Sequence, residues 1–437
     1  MREDTIFAPA SAVGGAVAVI RISGADALHT ARLLSADIAA TPRELRFVRI
    51  LDGDETVDDA MAVYFPAPRS YTGEHMVELH CHGGNRTVQR VLELLSGCGF
   101  RPAAAGEFTR RAFLNGKMDL SQAEAVMDVI NAEADRSLKA AMAQLHGSVS
   151  REVGAIESLL LDALSGIDAA LDYPEEAESD AYAALPQQLA AARGRVEALL
   201  AAGRRSRVLR DGLRVVLLGR PNVGKSSLLN ALLGRERAIV TGDAGTTRDV
   251  LDERTVFDGV PVRLLDTAGI RTARDEAERI GVARAREALA GADVLLVVFD
   301  GARPFADGDA ALLAETAGRR RILVRNKCDL PPAAGGDLPA DALPVSAKTG
   351  AGLPELRARI LSLAAPQEAD AAAITNERHL HALARAHAAL CAAAEATELD
   401  CAATDLRDAL HHLGSITGTD VDESVIDRIF SNFCVGK

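Results

Sequence analysis

Eight consecutive residues, Gly219-Arg220-Pro221-Asn222-Val223-Gly224-Lys225-Ser226, carry the clearest chemistry in this 437-residue chain. They match G-x-x-x-x-G-K-[ST], in which glycines let backbone N–H groups curl around phosphate oxygens. Lys225 is placed to reach the β- and γ-phosphates of a nucleotide, and Ser226 to hold Mg²⁺. The apolar run Leu213 to Leu218 just before the loop reads as a buried strand.

Four further elements follow in order. Asp266-Thr267-Ala268-Gly269 comes after the apolar run Val262 to Leu265. A carboxylate at a strand end, followed by a small flexible turn, suits a Mg²⁺ partner and a γ-phosphate sensor. Asn326-Lys327-Cys328-Asp329 follows Ile322 to Val324. An Asp accepts both hydrogen bonds from the N1–H and 2-amino edge of guanine, and adenine offers no such pair, so GTP is favoured over ATP. Ser346-Ala347-Lys348 completes a base pocket. Gly245-Thr246-Thr247-Arg248, between the first two elements, offers a Thr to the Mg²⁺ shell. Ile270 stands where Ras-like proteins carry the water-orienting Gln, and an aliphatic chain cannot polarise water. Hydrolysis then needs another polar group or a cation, and Asp275, Glu276 and Glu278 are the nearby acids.

These motifs require an α/β domain over about 212–364, with each motif at the carboxyl end of a strand. Residues 1–117 alternate short β-like runs with turns: strands at Gly14 to Ile22 and Met76 to His80, and a helix at Thr87 to Ser96. This predicts an α+β domain. From about 118 to 211 the chain turns helical. Val126, Met127, Ile130, Ala134, Leu138, Met142 and Leu145 recur at helical spacing, Leu160 to Leu171 continues an apolar face, and Gln187 to Leu200 is a further helix. Residues 365–437 are again helical, at Ala371 to Ala394 and Asp405 to Leu413. The economical reading is one helical domain with the nucleotide domain inserted; two separate bundles are the alternative.

The net charge of −13 speaks against a chain that binds nucleic acid by bulk charge, yet a local basic stripe suffices for phosphate contact. Arg204, Arg205, Arg207, Arg210 and Arg214 form such a cluster, which reads equally as a solvated linker. Six scattered cysteines without a CxxC fit a reducing compartment. His80 and His82 would share a strand face without a third metal ligand. The chain carries no N-terminal signal and no apolar run near 18 residues, so a soluble, cytoplasmic protein without membrane contact is expected.

With these elements in place, the chain resembles the MnmE (TrmE) family of tRNA-modifying GTPases, a translation-factor-like class. The resemblance runs from Asp4-Thr5-Ile6 to Lys437. It rests on Val19-Ile20-Arg21-Ile22-Ser23-Gly24, Tyr71-Thr72-Gly73-Glu74, Glu78-Leu79-His80-Cys81-His82-Gly83-Gly84, the stretch Gly106-Glu107-Phe108 to Gly116-Lys117, and the tail Phe430-Ser431-Asn432-Phe433-Cys434-Val435-Gly436-Lys437. It implies a folate-binding, dimer-forming α+β N-terminal domain, a helical domain and an inserted P-loop GTPase domain. It also implies a homodimer working with MnmG, a flavoprotein using FAD and NADH, in a heterotetramer or larger complex. The implied reaction installs aminomethyl-type groups at C5 of the tRNA wobble uridine (U34), with a one-carbon unit from 5-formyl- or methylene-tetrahydrofolate.

The family's residues carry over one by one. Its folate contacts fall on Arg21, Glu78, Lys117 and Lys437; Arg and Lys pair with a glutamate tail, and a carboxylate grips a pterin edge. The implied GTP contacts are Asn222, Val223, Gly224, Lys225, Ser226 and Ser227, then Thr241, Gly242, Asp243, Ala244, Gly245, Thr246 and Thr247, then Asp266, Thr267, Ala268 and Gly269, and finally the base-side residues Asn326, Lys327, Asp329, Ser346, Ala347 and Lys348. The implied K⁺ ligands are Asn222, Thr241, Asp243 and Thr246, and Mg²⁺ falls on Ser226 and Thr247. Asp243 stands where the family carries an aliphatic residue that acts through its backbone carbonyl. The catalytic carboxylate falls on Glu278. Cys434 reads either as a nucleophile toward uridine C6 or as a structural thiol.

Overall fold

The computed structural model describes residues 4–234, 252–266, 290–332, 339–364 and 374–437, with side chains for all of these except 174–181, 205, 252 and 364. The chain divides into two compact units, Met1–Met127 with His411–Lys437, and Asp128–Leu410.

In the first unit, β1 (Ile6–Pro9), β2 (Val17–Ser23), β3 (Arg46–Asp52), β4 (Glu55–Phe65), β5 (Met76–His82) and β6 (Arg101–Pro102) form one sheet in the order β3-β4-β5-β2-β1-β6. Neighbours are antiparallel except β1 and β6. Alternation decides the faces. Ile20, Ile22, Val77 and Leu79 are fully buried and pack with Val88, Val91 and Leu95 of α1 (Asn85–Gly97). The intervening residues, Arg21 and Glu78 among them, therefore lie on the opposite face. There α2 (Glu107–Leu114) lays Phe108 against Ile6, Ala8 and Ala103.

The expected single stripe from Val126 to Leu145 is two helices, α3 (Leu120–Ile130) and α4 (Asp135–Leu145). Ala134 between them is extended, at φ −142° and ψ 151°. Contacts distant in sequence compete with the helical period at this point. Glu133 pairs with Arg254 at 2.7 Å, and the Arg136 N–H donates to Gly259 O. Two long helices follow, α5 (Ser148–Asp172) and α6 (Pro174–Asp211), which pack along each other. Pro174 opens α6, where its missing N–H costs nothing.

After α6 the chain enters a second six-stranded sheet with a single residue, Gly212, between helix and strand. Its strands are β7 (Leu213–Leu218), β8 (Asp252–Phe257), β9 (Val260–Asp266), β10 (Val294–Asp300), β11 (Arg321–Asn326) and β12 (Leu343–Pro344). The order is β12-β11-β10-β7-β9-β8, and all neighbours are parallel except β8 and β9. Every residue of β10 is buried, as a strand covered on both faces demands. The chain adds strands first on one side of β7 and then on the other. The crevice at the carboxyl ends of β7 and β10 is therefore a topological switch point, where open α/β sheets bind ligands.

Among the described residues, the helices around this sheet are α7 (Lys225–Leu233), α8 (Asp307–Glu315) and α9 (Leu353–Ala364). Beyond them come α10 (Glu377–Glu395) and α11 (Leu399–Thr417). Helix α10 packs along α6, so helical stretches on both sides of the nucleotide-type sheet in sequence meet in space. The C-terminal turns of α6 also enter the sheet's core, with Val208 and Leu209 buried beside Leu213 and Val262. The arginine cluster sits here on a helix and its junction. Arg207 pairs with Asp293 at 3.4 Å, Arg210 pairs with Asp128 at 3.0 Å, and the Arg214 N–H donates to Asp293.

Candidate functional site

The phosphate-type loop leaves β7 at Leu218 and enters α7 at Lys225. Its shape depends on two close approaches. A Cβ on Gly219 would stand 2.5 Å from Val298 O, and one on Gly224, at φ +94°, would stand 2.3 Å from Asn326 Nδ2. Only glycine fits either place. Asn222 adopts φ +65°, a left-handed conformation that Asn tolerates better than most residues. The loop thus presents the N-terminus of α7, where backbone N–H groups and the helix dipole favour an anion. Lys225 is buried, and its ammonium donates to Gly219 O and Arg220 O at 3.0 Å each.

Ser226 Oγ donates to Asp266 Oδ2 at 2.8 Å, joining the start of α7 to the end of β9. Two hard oxygen donors beside a phosphate loop suit Mg²⁺ in their chemistry. The base-side residues form one hydrogen-bonded group. Asn326 Nδ2 donates to Val223 O at 2.9 Å, and its Oδ1 accepts from the Ala347 N–H at 3.1 Å. Ser346 Oγ donates to Asp329 Oδ1 at 2.6 Å. That bond holds the Asp329 carboxyl below its ordinary value, so it is an ionised acceptor at neutral pH. Ser227, in the first turn of α7, and Lys348, in the loop after Ser346, are exposed.

One residue of this site carries no motif signature. Asp300, at the carboxyl end of β10, is buried and receives Lys327 Nζ at 2.7 Å, while the same ammonium donates to Asn222 O at 3.0 Å. Asp300 thereby fixes a lysine that spans from the base-side motif to the phosphate-type loop. A usable signal exists in the sequence: like Asp266, it is an acid ending an apolar strand. Thr241, Gly242, Asp243, Ala244, Gly245, Thr246, Thr247, Thr267, Ala268, Gly269 and Glu278 lie outside the described residues.

In the first unit, antiparallel register sets Arg21 opposite Glu78. The guanidinium binds Glu78 Oε1 through Nε and Nη2, both at 2.9 Å. It also lies 5.0 Å from the centre of the Tyr71 ring and 5.7 Å from that of Phe108. Each such contact is worth about 0.5–2 kcal/mol. The loop carrying Tyr71 is tied down by Asn115 Nδ2 to Thr72 O and by Ser23 Oγ to Glu74. Lys117 Nζ donates to Pro68 O at 3.2 Å, with its stem against Gly73 of this loop. Buried Arg111 pairs with Asp4, Glu74 and Glu107. Tyr71, Phe108 and Arg111 had no separate chemical reading in the sequence, since their roles appear only once strand and helix meet.

The chain's end reaches the same face. Phe430 and Phe433 are buried with Leu120 and Ala123. Val435 bridges Ala105, the Gly106 N–H donates to Cys434 O at 3.4 Å, and the Phe108 N–H donates to Lys437 O at 3.2 Å. Arg21 and Glu78 are thus in direct contact, the Lys437 carbonyl is bonded to the backbone of Phe108, whose ring lies near Arg21, and Lys117 packs against Gly73 of the Tyr71 loop.

Comparison with known proteins agrees along the whole chain. Residues 5–117 match the model of the GTP-binding protein TrmE N-terminus, and residues 120–434 match that of the MnmE helical domain. The "tRNA modification GTPase MnmE" of Symbiobacterium thermophilum is 44% identical over 100% of this chain and 100% of its own length. The protein of the same name from Chloroflexus aurantiacus is 46% identical over 99% of this chain and 100% of its own. That from Geobacter metallireducens is 40% identical over 100% and 99%. With the phosphate-type loop, the base-side motifs and the folded-back tail all present in one chain, the protein belongs to the MnmE family.

Proposed function

We propose that this chain hydrolyses GTP as the GTPase subunit of a tRNA-modification complex. The reading is carried by one arrangement: the phosphate-type loop, the Ser226–Asp266 pair and the Asn326–Asp329–Ser346 group all converge at the carboxyl ends of neighbouring strands. Lys225 and the N-terminus of α7 would take the phosphates, Asp329 the guanine edge, and Asn326 would brace both. Mg²⁺, when bound by Ser226 with Thr247, would neutralise phosphate charge. K⁺ would sit with Asn222, Thr241, Asp243 and Thr246 and draw two G domains together, and Glu278 would act as the catalytic carboxylate.

The finer reading is modification of the wobble uridine at C5 by a homodimer acting with the flavoprotein MnmG in the cytoplasm. Arg21, Glu78, Lys117 and Lys437 would hold a tetrahydrofolate derivative. The residues present fit such a ligand: a carboxylate for an aminopyrimidine edge, cations for a glutamate tail, and aromatic rings at Tyr71 and Phe108. Reconstitution with MnmG, tRNA and a reduced folate tests this. Aminomethyl-type nucleosides should appear by mass spectrometry only with GTP present, and initial GTPase rates should be higher in K⁺ than in Na⁺. Equal rates in the two salts would remove the K⁺ role. GTP turnover without modified nucleoside would leave a GTPase of another purpose.

A further inference from the structure

A second group of reactive side chains lies outside both sites, on the helical pair α6 and α10. Cys391 and His387 are one turn apart on α10, where side chains four residues apart meet. Cys391 Sγ stands 3.9 Å from His387 Nδ1, within hydrogen-bond reach of a sulfur. The other ring nitrogen, His387 Nε2, stands 2.9 Å from Glu197 Oε1 on α6. Arg193, one turn before Glu197, approaches the same carboxylate oxygen at 3.6 Å.

The roles follow from donor and acceptor needs. Glu197 is held below its ordinary pKa first by its hydrogen bond to His387. An ionised carboxylate only accepts, so Nε2 must carry a proton. In the neutral ring that leaves Nδ1 as a lone pair aimed at the thiol. This is the nucleophile, base and orienting-acid order that activates side chains elsewhere. Cys391 is partly exposed, so small reagents reach it.

We propose that Cys391 is a modification site, a thiol activated by His387 and Glu197 that reacts with small hydroperoxides. His387 takes the thiol proton, giving thiolate and imidazolium beside Glu197. The thiolate sulfur attacks one peroxide oxygen, forming the S–O bond as the O–O bond breaks. Sulfur is oxidised by two electrons to the sulfenic acid, and the peroxide is reduced. The leaving hydroxide, or the alkoxide from an alkyl hydroperoxide, takes the imidazolium proton and departs as water or alcohol.

The test uses the full native chain and an internal reference. Cys328 is exposed, more so than Cys391. Iodoacetamide at neutral pH, with peptides quantified by mass spectrometry, should label Cys391 on the order of tenfold faster than Cys328, because a general base stands beside the Cys391 thiol. Hydrogen peroxide followed by dimedone should place its adduct mainly on Cys391. His387→Gln should bring the Cys391 rate down to that of Cys328. Labelling of Cys391 no faster than Cys328 in the wild-type chain overturns the proposal, whether or not the variant folds. An undiminished rate in a folded His387→Gln protein also overturns it.

Discussion

The backbone N–H of Phe108 donates to the carbonyl oxygen of Lys437 at 3.2 Å, so the last residue of the chain is fastened to the first turn of a helix more than three hundred positions earlier. The ring of that same Phe108 faces the Arg21 guanidinium. Chain ends fray unless tied down, and this one is tied beside the proposed folate residues.

Gly436 gives a mild way to untie it. It sits at φ +98°, and a Cβ would meet Pro9 O at 2.0 Å. Gly436→Ala should therefore displace the final residues without touching the nucleotide loop. Calorimetric titration with a reduced folate should show affinity falling by about tenfold or more, the scale of losing a charge-assisted contact, while GTP affinity is unchanged. Unaltered folate affinity would detach the tail from that site.

Asp329 should govern base choice. Its carboxylate is ionised and fixed by Ser346. Asp329→Asn replaces an acceptor with a donor, which suits the carbonyl of xanthine. Competition between GTP and XTP in a nucleotide-exchange assay should swing toward XTP. A retained preference for GTP would assign the base edge to another residue.

Glu278→Ala should lower GTP turnover by roughly 10²-fold or more, the range for a positioned acid–base group, with GTP affinity near that of the parent. Asp275→Ala and Glu276→Ala serve as the comparison. If either of them produces the loss and Glu278→Ala does not, the carboxylate is misassigned.

Acid should loosen the first unit through Glu107. Burial pushes this carboxyl up, but hydrogen bonds from Arg101, the Ala104 N–H and Arg111 outweigh it and hold the group below its ordinary value of 4.5. The unfolded chain then binds the proton more tightly than the folded one. Stability from this group is complete above the ordinary carboxylate range and is lost as pH falls through the folded value. Glu107→Gln should flatten the acid side of a melting-temperature profile below pH 5, at a cost in stability near neutrality. A profile of unchanged slope would mean the ion cluster contributes nothing to acid sensitivity.

How far the sequence could be read depended on whether the deciding interaction was local. Leu213–Leu218 is legible residue for residue, because a strand buried on both faces reads as an apolar run, here broken only by the exposed Arg214 and ended by a glycine. The stripe from Val126 to Leu145 misleads, because Glu133 and Arg136 are claimed by partners near residue 254 and residue 259. The strand expected from Gly14 begins only at Val17, since Gly14 turns at φ +100°. In the sites, the phosphate-type loop is a contiguous motif and needs no fold to be seen. Arg21 and Glu78 are 57 residues apart, and no spacing relates them until two antiparallel strands settle into register. The role of Asp300 depends on the fold for a related reason: its partner Lys327 comes from just past the end of the neighbouring strand β11.

The single residue between α6 and β7 leaves no slack at the entrance to the nucleotide-type sheet. From Pro186 to Asp211 the helix is roughly 39 Å long at its standard rise. Its end is cemented into the sheet's core through Val208 and Leu209. A rod rooted in this way works as a pointer. A tilt of about 10° at its base would sweep its far end through roughly 7 Å over that length. Small rearrangements around a nucleotide would then be expressed at the remote tip as a change of direction.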